Sequence, residues 1–296
     1  MSPTAKGGAE TPRPKAARVA AVQMNSGADV AANLELAGRL IGDAAADGCG
    51  LVVLPENFAL MPARARDKAQ HAEMPGQGPI QSFLAETAVR HGLWIVGGSI
   101  PLVSPEADRV YGASPVIDEQ GLTRAVYHKI HLFDVDLPDR DESYRESRSM
   151  YPGDKPAAVD SPFGRIGLSI CYDVRFPELY RQLVADGARI FTVPAAFTVT
   201  TGKAHWQTLL RARAIENLAY VIAPGQFGEH PDRRSTYGHS MIVDPWGRVL
   251  AEQPAGNGFL AADVDLDRQD ALRQEFPALS NRRLGRCSES APGAPK

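Results

Sequence analysis

Cys171 lies where an apolar run meets a helical pattern, a junction at which a thiol can act as a nucleophile. The run 166–170 predicts a short buried strand, and Pro177 begins a helical pattern in which proline suits the first helical position. A thiol at such a junction can point out of the sheet edge towards backbone N–H groups, which stabilise an anion. Free cysteines are usually small buried core residues, so Cys171 alone leaves the structural interpretation open.

Two charged residues also follow predicted strands. Glu56 comes after the apolar run 51–54 and a proline, and Lys129 follows the alternating segment 122–127. The ends of strands in α/β sheets gather catalytic groups. The ordinary alternatives for these residues are a solvated loop carboxylate and a surface ammonium. With Cys171 they supply a base, a cation and a nucleophile, which are the groups that acyl transfer needs.

The sequence around these residues resembles the nitrilase, or carbon–nitrogen hydrolase, superfamily. Its Glu–Lys–Cys triad occurs in three motifs, which here are Leu-Pro-Glu at 54–56, His-Lys-Ile-His-Leu at 128–132 and Ile-Cys-Tyr-Asp-Val-Arg-Phe-Pro-Glu at 170–178. The motifs stand in the same order as in the superfamily, and the resemblance runs from about Arg18 to Arg283. It implies a four-layer α-β-β-α sandwich, and a homodimer or higher homo-oligomer.

The chemistry of a thiol explains why the three residue types occur together. A thiol is mostly protonated at neutral pH, and the thiolate is the nucleophile. Glu56 would take the thiol proton as general base, protonate the leaving ammonia and activate the water that hydrolyses a thioester on Cys171. This role predicts a pKa of Glu56 raised by burial. Lys129 and the N–H of Tyr172 would stabilise the oxyanion, and no cofactor is required.

The resemblance implies a second glutamate, which hydrogen-bonds the lysine and positions the substrate. Glu146 in Tyr-Arg-Glu-Ser at 144–147 fits that context, and Glu142 is the alternative. The serine after Glu146 and the Pro-Gly-Asp at 152–154 favour Glu146. The rest of the charged segment 139–148 is expected to be a solvated loop.

The segments 194–217 and 233–247 resemble the amidase branch that includes ω-amidase and deaminated glutathione amidase, and the run 233–239 is closer to the latter. Both enzymes act on amides that carry a keto group and a carboxylate. Arg175 could bind such a carboxylate in bidentate fashion, or could instead form a structural ion pair with Asp173 or Glu178. The resemblance thus predicts deaminated glutathione as substrate, with α-ketoglutaramate, a nitrile or an N-carbamoyl amino acid as alternatives.

Other residues leave further alternatives. Phe197 and Thr198 follow a predicted strand and are candidates for the pocket wall, with core or turn roles equally open. His131, His205 or His239 could act as base to Cys171 in a Cys–His hydrolase, although the flanking sequences of papain-type and caspase-type enzymes are missing. The chain could also be an inactive binding scaffold, which the presence of all four catalytic residue types argues against.

The composition limits the classes of protein to which the chain could belong. The chain has 296 residues, 44% of them hydrophobic, and a formal net charge of −3 with scattered charges, which favours neither nucleic acid nor a membrane as partner. No secretory signal or metal-ligand spacing is found in the sequence. The odd count of cysteines favours a reducing cytoplasm; they are Cys49, Cys171 and Cys287.

Apolar spacing predicts one α+β domain over residues 17–285, between loose tails at 1–16 and 286–296. The predicted strands are 19–24, 51–54, 93–98, 110–117, 122–127, 166–170, 189–193, 220–223, 240–243, 249–252 and 259–264. The predicted helices are 30–44, 80–88, 177–184, 203–217 and 266–274.

Overall fold

The computed structural model describes residues 17–136 and 143–284. The predicted tails, together with Glu142 and Cys287, lie outside the described residues. Within them, the structure contains helices and strands in an alternating order that follows the predicted one.

The strands of the described residues are short, and each has three to eight residues. In chain order they are β1 (Ala17–Gln23), β2 (Leu51–Val53), β3 (Trp94–Val96), β4 (Ile100–Val103), β5 (Val110–Ile117), β6 (Thr123–His128), β7 (Asp134–Asp136), β8 (Ser143–Arg145), β9 (Ala157–Val159), β10 (Ile166–Leu168), β11 (Ile190–Thr192), β12 (Tyr220–Ala223), β13 (Phe227–Glu229), β14 (Ser235–Tyr237), β15 (Ser240–Val243), β16 (Val249–Gln253) and β17 (Gly258–Val264). The short strands β4, β7, β8, β9, β13 and β14 were not predicted, because three or four residues show no clear alternation.

Five α-helices connect or follow the strands: α1 (Val30–Ala46), α2 (Pro79–His91), α3 (Pro177–Ala185), α4 (Val199–Asn217) and α5 (Leu266–Glu275). Proline at the first position begins α2 and α3, as predicted for the latter. The prediction that α4 begins at residue 203 was wrong. Thr198 caps the helix by accepting a hydrogen bond from the Thr201 N–H, so the helix starts four residues earlier.

Two sheets carry most of the strands. The first has seven strands in the order β17-β1-β2-β3-β5-β4, with β6 paired to β5, and the second has six in the order β16-β15-β12-β11-β10-β9. Strands β1, β2 and β3 run parallel, as do β10, β11 and β12. Helical crossovers connect these parallel strands, as parallel pairing requires.

The side chains of β1 show how the layers stack. Val19 and Ala21 lie in a core shared with the second sheet, whereas Ala20 and Val22 lie in a core shared with α1 and α2. Helices α3 and α4 cover the other face of the second sheet, where Leu183 and Leu210 join the core. The predicted four-layer α-β-β-α sandwich in one α+β domain is therefore confirmed. No helix in the described residues is long and apolar enough to cross a membrane.

Candidate active site

One cavity gathers the polar residues that follow the strand ends. It has a volume of about 560 Å³, and the residues that line it include Glu56 after β2, Lys129 after β6 and Cys171 after β10. Glu146, from the 3-10 turn Glu146–Arg148, also lines it. The structure therefore brings the four sequence-predicted residues together from four separate segments of the chain.

The Lys129 ammonium lies at the centre of this group. Its Nζ atom is 2.8 Å from Glu56 Oε1 and 2.9 Å from both carboxylate oxygens of Glu146. Glu146 Oε2 also accepts a hydrogen bond of 2.7 Å from the Phe133 N–H. Burial alone would lower the pKa of Lys129, but Glu146 and Glu56 outweigh it and hold the pKa well above its usual value. The cation is thus fixed between two carboxylates.

The backbone around Glu56 is held from several sides. The Glu56 carbonyl accepts a hydrogen bond of 3.0 Å from Gln226 Nε2, and the Asn57 N–H donates one of 2.9 Å to Ser99 Oγ. Asn57 adopts a left-handed conformation with φ of 57°, which turns the chain sharply after Glu56. These contacts fix the direction of the Glu56 side chain, which is 4% exposed.

The predicted rise in the pKa of Glu56 was wrong. Burial does act to raise it, but the Lys129 charge, together with hydrogen bonds from Lys129 and Cys171, outweighs burial and holds the pKa below its usual value. Sequence reasoning included burial but not an ammonium in direct contact. Glu56 is therefore ionised in the resting protein and can accept the thiol proton.

Cys171 sits on a strained turn. Its φ is 51°, in the left-handed region that residues with a Cβ rarely adopt, and its N–H donates a hydrogen bond of 2.8 Å to the Pro194 carbonyl. Burial and the nearby Glu56 raise the pKa of the thiol well above its usual value, against the opposing effects of Lys129 and of a hydrogen bond from the Ala196 backbone. The resting nucleophile is therefore a neutral thiol beside an ionised base.

Asp173 connects the cysteine turn to the segment that carries Lys129. The fully buried carboxylate accepts hydrogen bonds of 2.8 Å from Tyr127 Oη and from the Ile170 N–H. Its other oxygen lies 2.7 Å from His131 Nδ1 and accepts from the His131 N–H. Sequence reasoning considered Asp173 only as a partner for Arg175 and missed this role. Its position two residues after a buried cysteine was the available signal.

Arg175 forms neither of the two ion pairs considered from the sequence. Within the described residues, its Nη1 lies 3.1 Å from His205 Nδ1, and its guanidinium stands over the rings of Tyr172 and Phe197 at 5.7 and 5.2 Å from their centroids. It lines the cavity, and burial lowers its pKa from the ordinary value. A guanidinium without a carboxylate partner at a cavity wall can bind an anionic ligand.

The remaining predicted residues line the same cavity. Tyr172, Phe197 and Thr198 all contribute to its wall. Thr198 also caps α4, and the Phe197 ring packs against Trp206, so the structural and pocket roles coincide in both residues. The oxyanion role of the Tyr172 N–H stays a prediction. The backbone of Ala196, which reaches the Cys171 sulfur, was not anticipated.

The three histidines considered as bases hold other partners and are not among the residues that line the cavity. His131 pairs with Asp173, His205 with Arg175, and His239 Nδ1 lies 2.6 Å from Glu252 Oε1. A Cys–His pair is therefore not formed. Across residues 17–136 and 143–284, no cluster of side chains that could hold a metal ion is found.

Lys68 and Arg234 also line the cavity; sequence reasoning missed Lys68 and used Arg234 only as part of the run 233–239 that indicated the substrate. Lys68 lies in the 3-10 helix Ala65–His71, is 8% exposed, and donates a hydrogen bond of 2.8 Å to Asn57 Oδ1. Burial lowers its pKa to about 8. Neither residue follows a predicted strand end, and each stands among other charged residues, a pattern typical of solvated loops.

The model of the carbon–nitrogen hydrolase family matches residues 18–274. The chain belongs to this family. A deaminated glutathione amidase from Synechocystis is 46% identical over 266 residues, which are 89% of this chain and 97% of that protein. The family match and this relative make the chain an amidase, and they confirm the resemblance found in the three motifs.

Two solved structures of family members are also similar. The crystal structure of the Caenorhabditis elegans NitFhit protein has a TM-score of 0.85 at 39% identity, over 91% of this chain and 65% of that one. Saccharomyces cerevisiae Nit3, a member of branch 10 of the nitrilase superfamily, has a TM-score of 0.82 at 32% identity, over 94% of this chain and all of that one. Both likenesses confirm the fold.

Proposed function

We propose that this amidase cleaves the amide of deaminated glutathione through a thioester on Cys171, releasing α-ketoglutarate and cysteinylglycine. The observation that carries the mechanism is the buried contact of Lys129 with Glu56 beside the Cys171 thiol. A base that is ionised at rest, a neutral nucleophile and a fixed cation are the three conditions for thiol addition to an amide.

In the first half-reaction, Cys171 Sγ attacks the amide carbonyl while Glu56 takes the thiol proton. The negative charge that develops on the carbonyl oxygen is stabilised by the Lys129 ammonium and by backbone N–H groups beside the nucleophile. When the intermediate collapses, the C–N bond breaks and Glu56 returns the proton to the leaving amine. Cysteinylglycine departs, and the α-ketoglutaryl group remains as a thioester.

In the second half-reaction, water attacks the thioester carbonyl and gives its proton to Glu56. The C–S bond then breaks, the sulfur recovers the proton from Glu56, and α-ketoglutarate leaves with the hydroxyl group. Glu146 holds Lys129 in place through both steps with its two contacts of 2.9 Å. Thiol, carboxylate and ammonium thus return to their starting states.

The charges on the cavity wall support the choice of substrate. Arg175 lines the cavity beside Cys171, and Arg234 lines it from the loop that leads into β14. Deaminated glutathione carries one carboxylate at each end and its scissile amide between them, whereas α-ketoglutaramate carries a single carboxylate. The volume of about 560 Å³ lies within the range of about 300–1,000 Å³ that is common for ligand pockets. The names of the curated relatives agree with this choice.

The test is the ratio of kcat/KM for deaminated glutathione and for α-ketoglutaramate. We expect the ratio to favour deaminated glutathione, because contacts to the distant part of the leaving group help to orient the scissile amide. Intact-mass spectrometry of the quenched enzyme should show an α-ketoglutaryl adduct that Cys171→Ala lacks and Cys49→Ala keeps. A ratio in favour of α-ketoglutaramate would instead make the protein an ω-amidase.

A further inference from the structure

The cavity contains a buried cation that the mechanism does not use. The Lys68 side chain lies at the cavity wall with 8% exposure, and its ammonium donates a hydrogen bond to Asn57 Oδ1. Among the described residues, Asn57 Oδ1 is the hydrogen-bond partner of this ammonium. An ammonium has three donors, and a buried charge is costly unless it is paired. Lys68 therefore has donors left for a ligand.

The two acidic residues that attract Lys68 most strongly are in direct contact with another cation. Glu56 and Glu146 attract Lys68 electrostatically but are both bound to Lys129. Lys129, Glu56 and Glu146 together carry one net negative charge, which attracts Lys68, but burial still lowers the pKa of Lys68. A carboxylate ligand would give Lys68 a direct ion pair in addition to its hydrogen bond to Asn57.

Arg234 brings a second cation to the same part of the cavity. Its Nη2 atom lies 3.1 Å from Asp232 Oδ2, but its buried Nε atom has no hydrogen-bond partner. The Arg234 charge is close enough to Lys68 to lower the pKa of the ammonium. Two cations that repel each other, each with an unused donor, form a suitable site for one carboxylate.

The position of Lys68 relates this site to the leaving group. Lys68 is bound to Asn57, the residue directly after Glu56, and Glu56 supplies the proton to the departing amine. The leaving group must therefore lie on the side of Glu56 and Asn57. Arg175 lies over the rings of Tyr172 and Phe197, and Tyr172 directly follows the nucleophile. Lys68 is thus attached to the residue that follows the base, and Arg175 lies over the residue that follows the nucleophile.

We propose that Lys68 and Arg234 form a subsite for the carboxylate of the leaving amine, which in deaminated glutathione is the C-terminal glycine carboxylate. Arg175 then serves the carboxylate of the acyl part. The inference rests on the proposed function, because only an amine that itself carries a carboxylate can use this subsite. Lys68 is here a residue that selects the leaving group and takes no part in bond breaking.

The test compares three substrates that differ in the leaving group: deaminated glutathione, its C-terminal carboxamide, and α-ketoglutaramate. We expect Lys68→Met to lower kcat/KM for deaminated glutathione about 10- to 100-fold, mainly through KM, because a charge-assisted hydrogen bond to the ground state and transition state alike is lost. The other two substrates should change by less than about two-fold, since neither carries that carboxylate. Lys68→Arg should retain most of the preference, and Arg234→Gln should give the same pattern as Lys68→Met.

Lys155→Met is the matched control, because Lys155 is exposed and does not line the cavity. It should leave all three substrates unchanged. An equal loss on all three substrates in Lys68→Met would show that Lys68 acts by supporting Glu56, and no loss on any would show that it does not bind substrate; both results overturn the inference while the proposed function stands. A wild-type enzyme that cleaves α-ketoglutaramate but not deaminated glutathione overturns both.

Discussion

The Lys129 ammonium lies 2.8 Å from Glu56 Oε1, and this contact sets the protonation state of both residues. Glu56 stays ionised although it is buried, and Lys129 stays protonated although it is buried. The thiol beside them keeps its proton, because burial and the Glu56 charge raise its pKa. One proton is therefore ready to move from Cys171 to Glu56 when a substrate carbonyl arrives, and the resting enzyme holds no free thiolate.

The neutral thiol predicts slow alkylation of Cys171 at neutral pH in the absence of substrate. The rate constant for iodoacetamide should rise with pH and still be rising beyond 9.0, the ordinary pKa of a thiol, because the pKa of Cys171 is raised well above it. Mass spectrometry of alkylated peptides over a pH series measures this in Cys49→Ala, which removes a second buried thiol whose pKa is raised to about 11. Fast alkylation that is independent of pH would reveal an ion-paired thiolate and contradict this arrangement.

The contact between Glu56 and Lys129 predicts that replacing either residue lowers turnover, and that replacing Lys129 also lowers stability. Glu56→Gln should abolish measurable turnover while keeping the shape of the side chain, because the proton acceptor is gone.

Lys129→Met should lower kcat by at least about 10²–10³-fold, the effect of losing one oxyanion donor. It should also destabilise the protein by about 3–5 kcal/mol, because the buried Glu56 and the half-buried Glu146 lose their cation. Steady-state rates and urea unfolding measure both, and rates within a few-fold of the parent would make either residue structural.

The buried Lys68 predicts a variant that is more stable than the parent. Its pKa is about 8 in the folded protein against an ordinary value of 10.5, so the folded state binds this proton less tightly than the unfolded state. Below pH 8 the penalty is fully present, and it disappears as pH rises from about 8 to 10.5. Lys68→Met should therefore raise the free energy of unfolding by up to about 3 kcal/mol at pH 7, reduced by the loss of the hydrogen bond to Asn57. Urea midpoints should show this gain.

The same gain should shrink towards zero as the pH approaches 10.5, where the folded parent has already lost the proton. Lys155→Met, which removes an exposed lysine, should show no comparable change at either pH. A Lys68→Met protein that is less stable at pH 7, or a gain that does not depend on pH, would mean that Lys68 is compensated in the free protein.

Replacing Asp173 is expected to lower both the stability of the protein and its catalytic rate. Asp173→Asn keeps the size of the side chain but places an amide donor where the carboxylate now accepts from Tyr127, Ile170 and His131. We expect a destabilisation of about 1–3 kcal/mol for the unsatisfied group. We also expect a lower kcat with little change in KM, because the turn that carries Cys171 shifts relative to Lys129. Asp186→Asn, at an exposed position, is the control. An Asp173→Asn protein with the parental kcat would show that the hydrogen bonds of Asp173 do not position Cys171 relative to Lys129.

Much of the fold could be predicted because long elements show their periodicity in the sequence. Strands β5, β12 and β15 have the predicted bounds, and every predicted helix is present. Helix α4 differs at its start because the cap at Thr198 depends on one hydroxyl and not on apolar spacing. The short strands depend on neighbouring strands for their existence, so no local pattern marks them.

The residues of the candidate site could likewise be predicted only in part. Glu56, Lys129 and Cys171 could be found because each stands in a short motif at the end of a strand. Lys68 could not be found, because the 3-10 helix that carries it shows no periodic pattern. Only the tertiary fold places it at the cavity wall. The pKa of Glu56 depends on a contact between residues 73 positions apart in the chain, which sequence reasoning did not include. The homo-oligomer and the cytoplasmic location stay predictions.

The left-handed backbone at Cys171 has an evolutionary consequence. A side chain at a φ of 51° costs about 1–2 kcal/mol relative to glycine, which adopts this region freely. Because Cys171 lines a cavity, removing its side chain would leave little void inside the packed core. Drift under selection for stability alone would therefore favour glycine at this position. The sulfur persists only while turnover itself is under selection, so an inactive descendant of this enzyme would be easier to fold than its active ancestor.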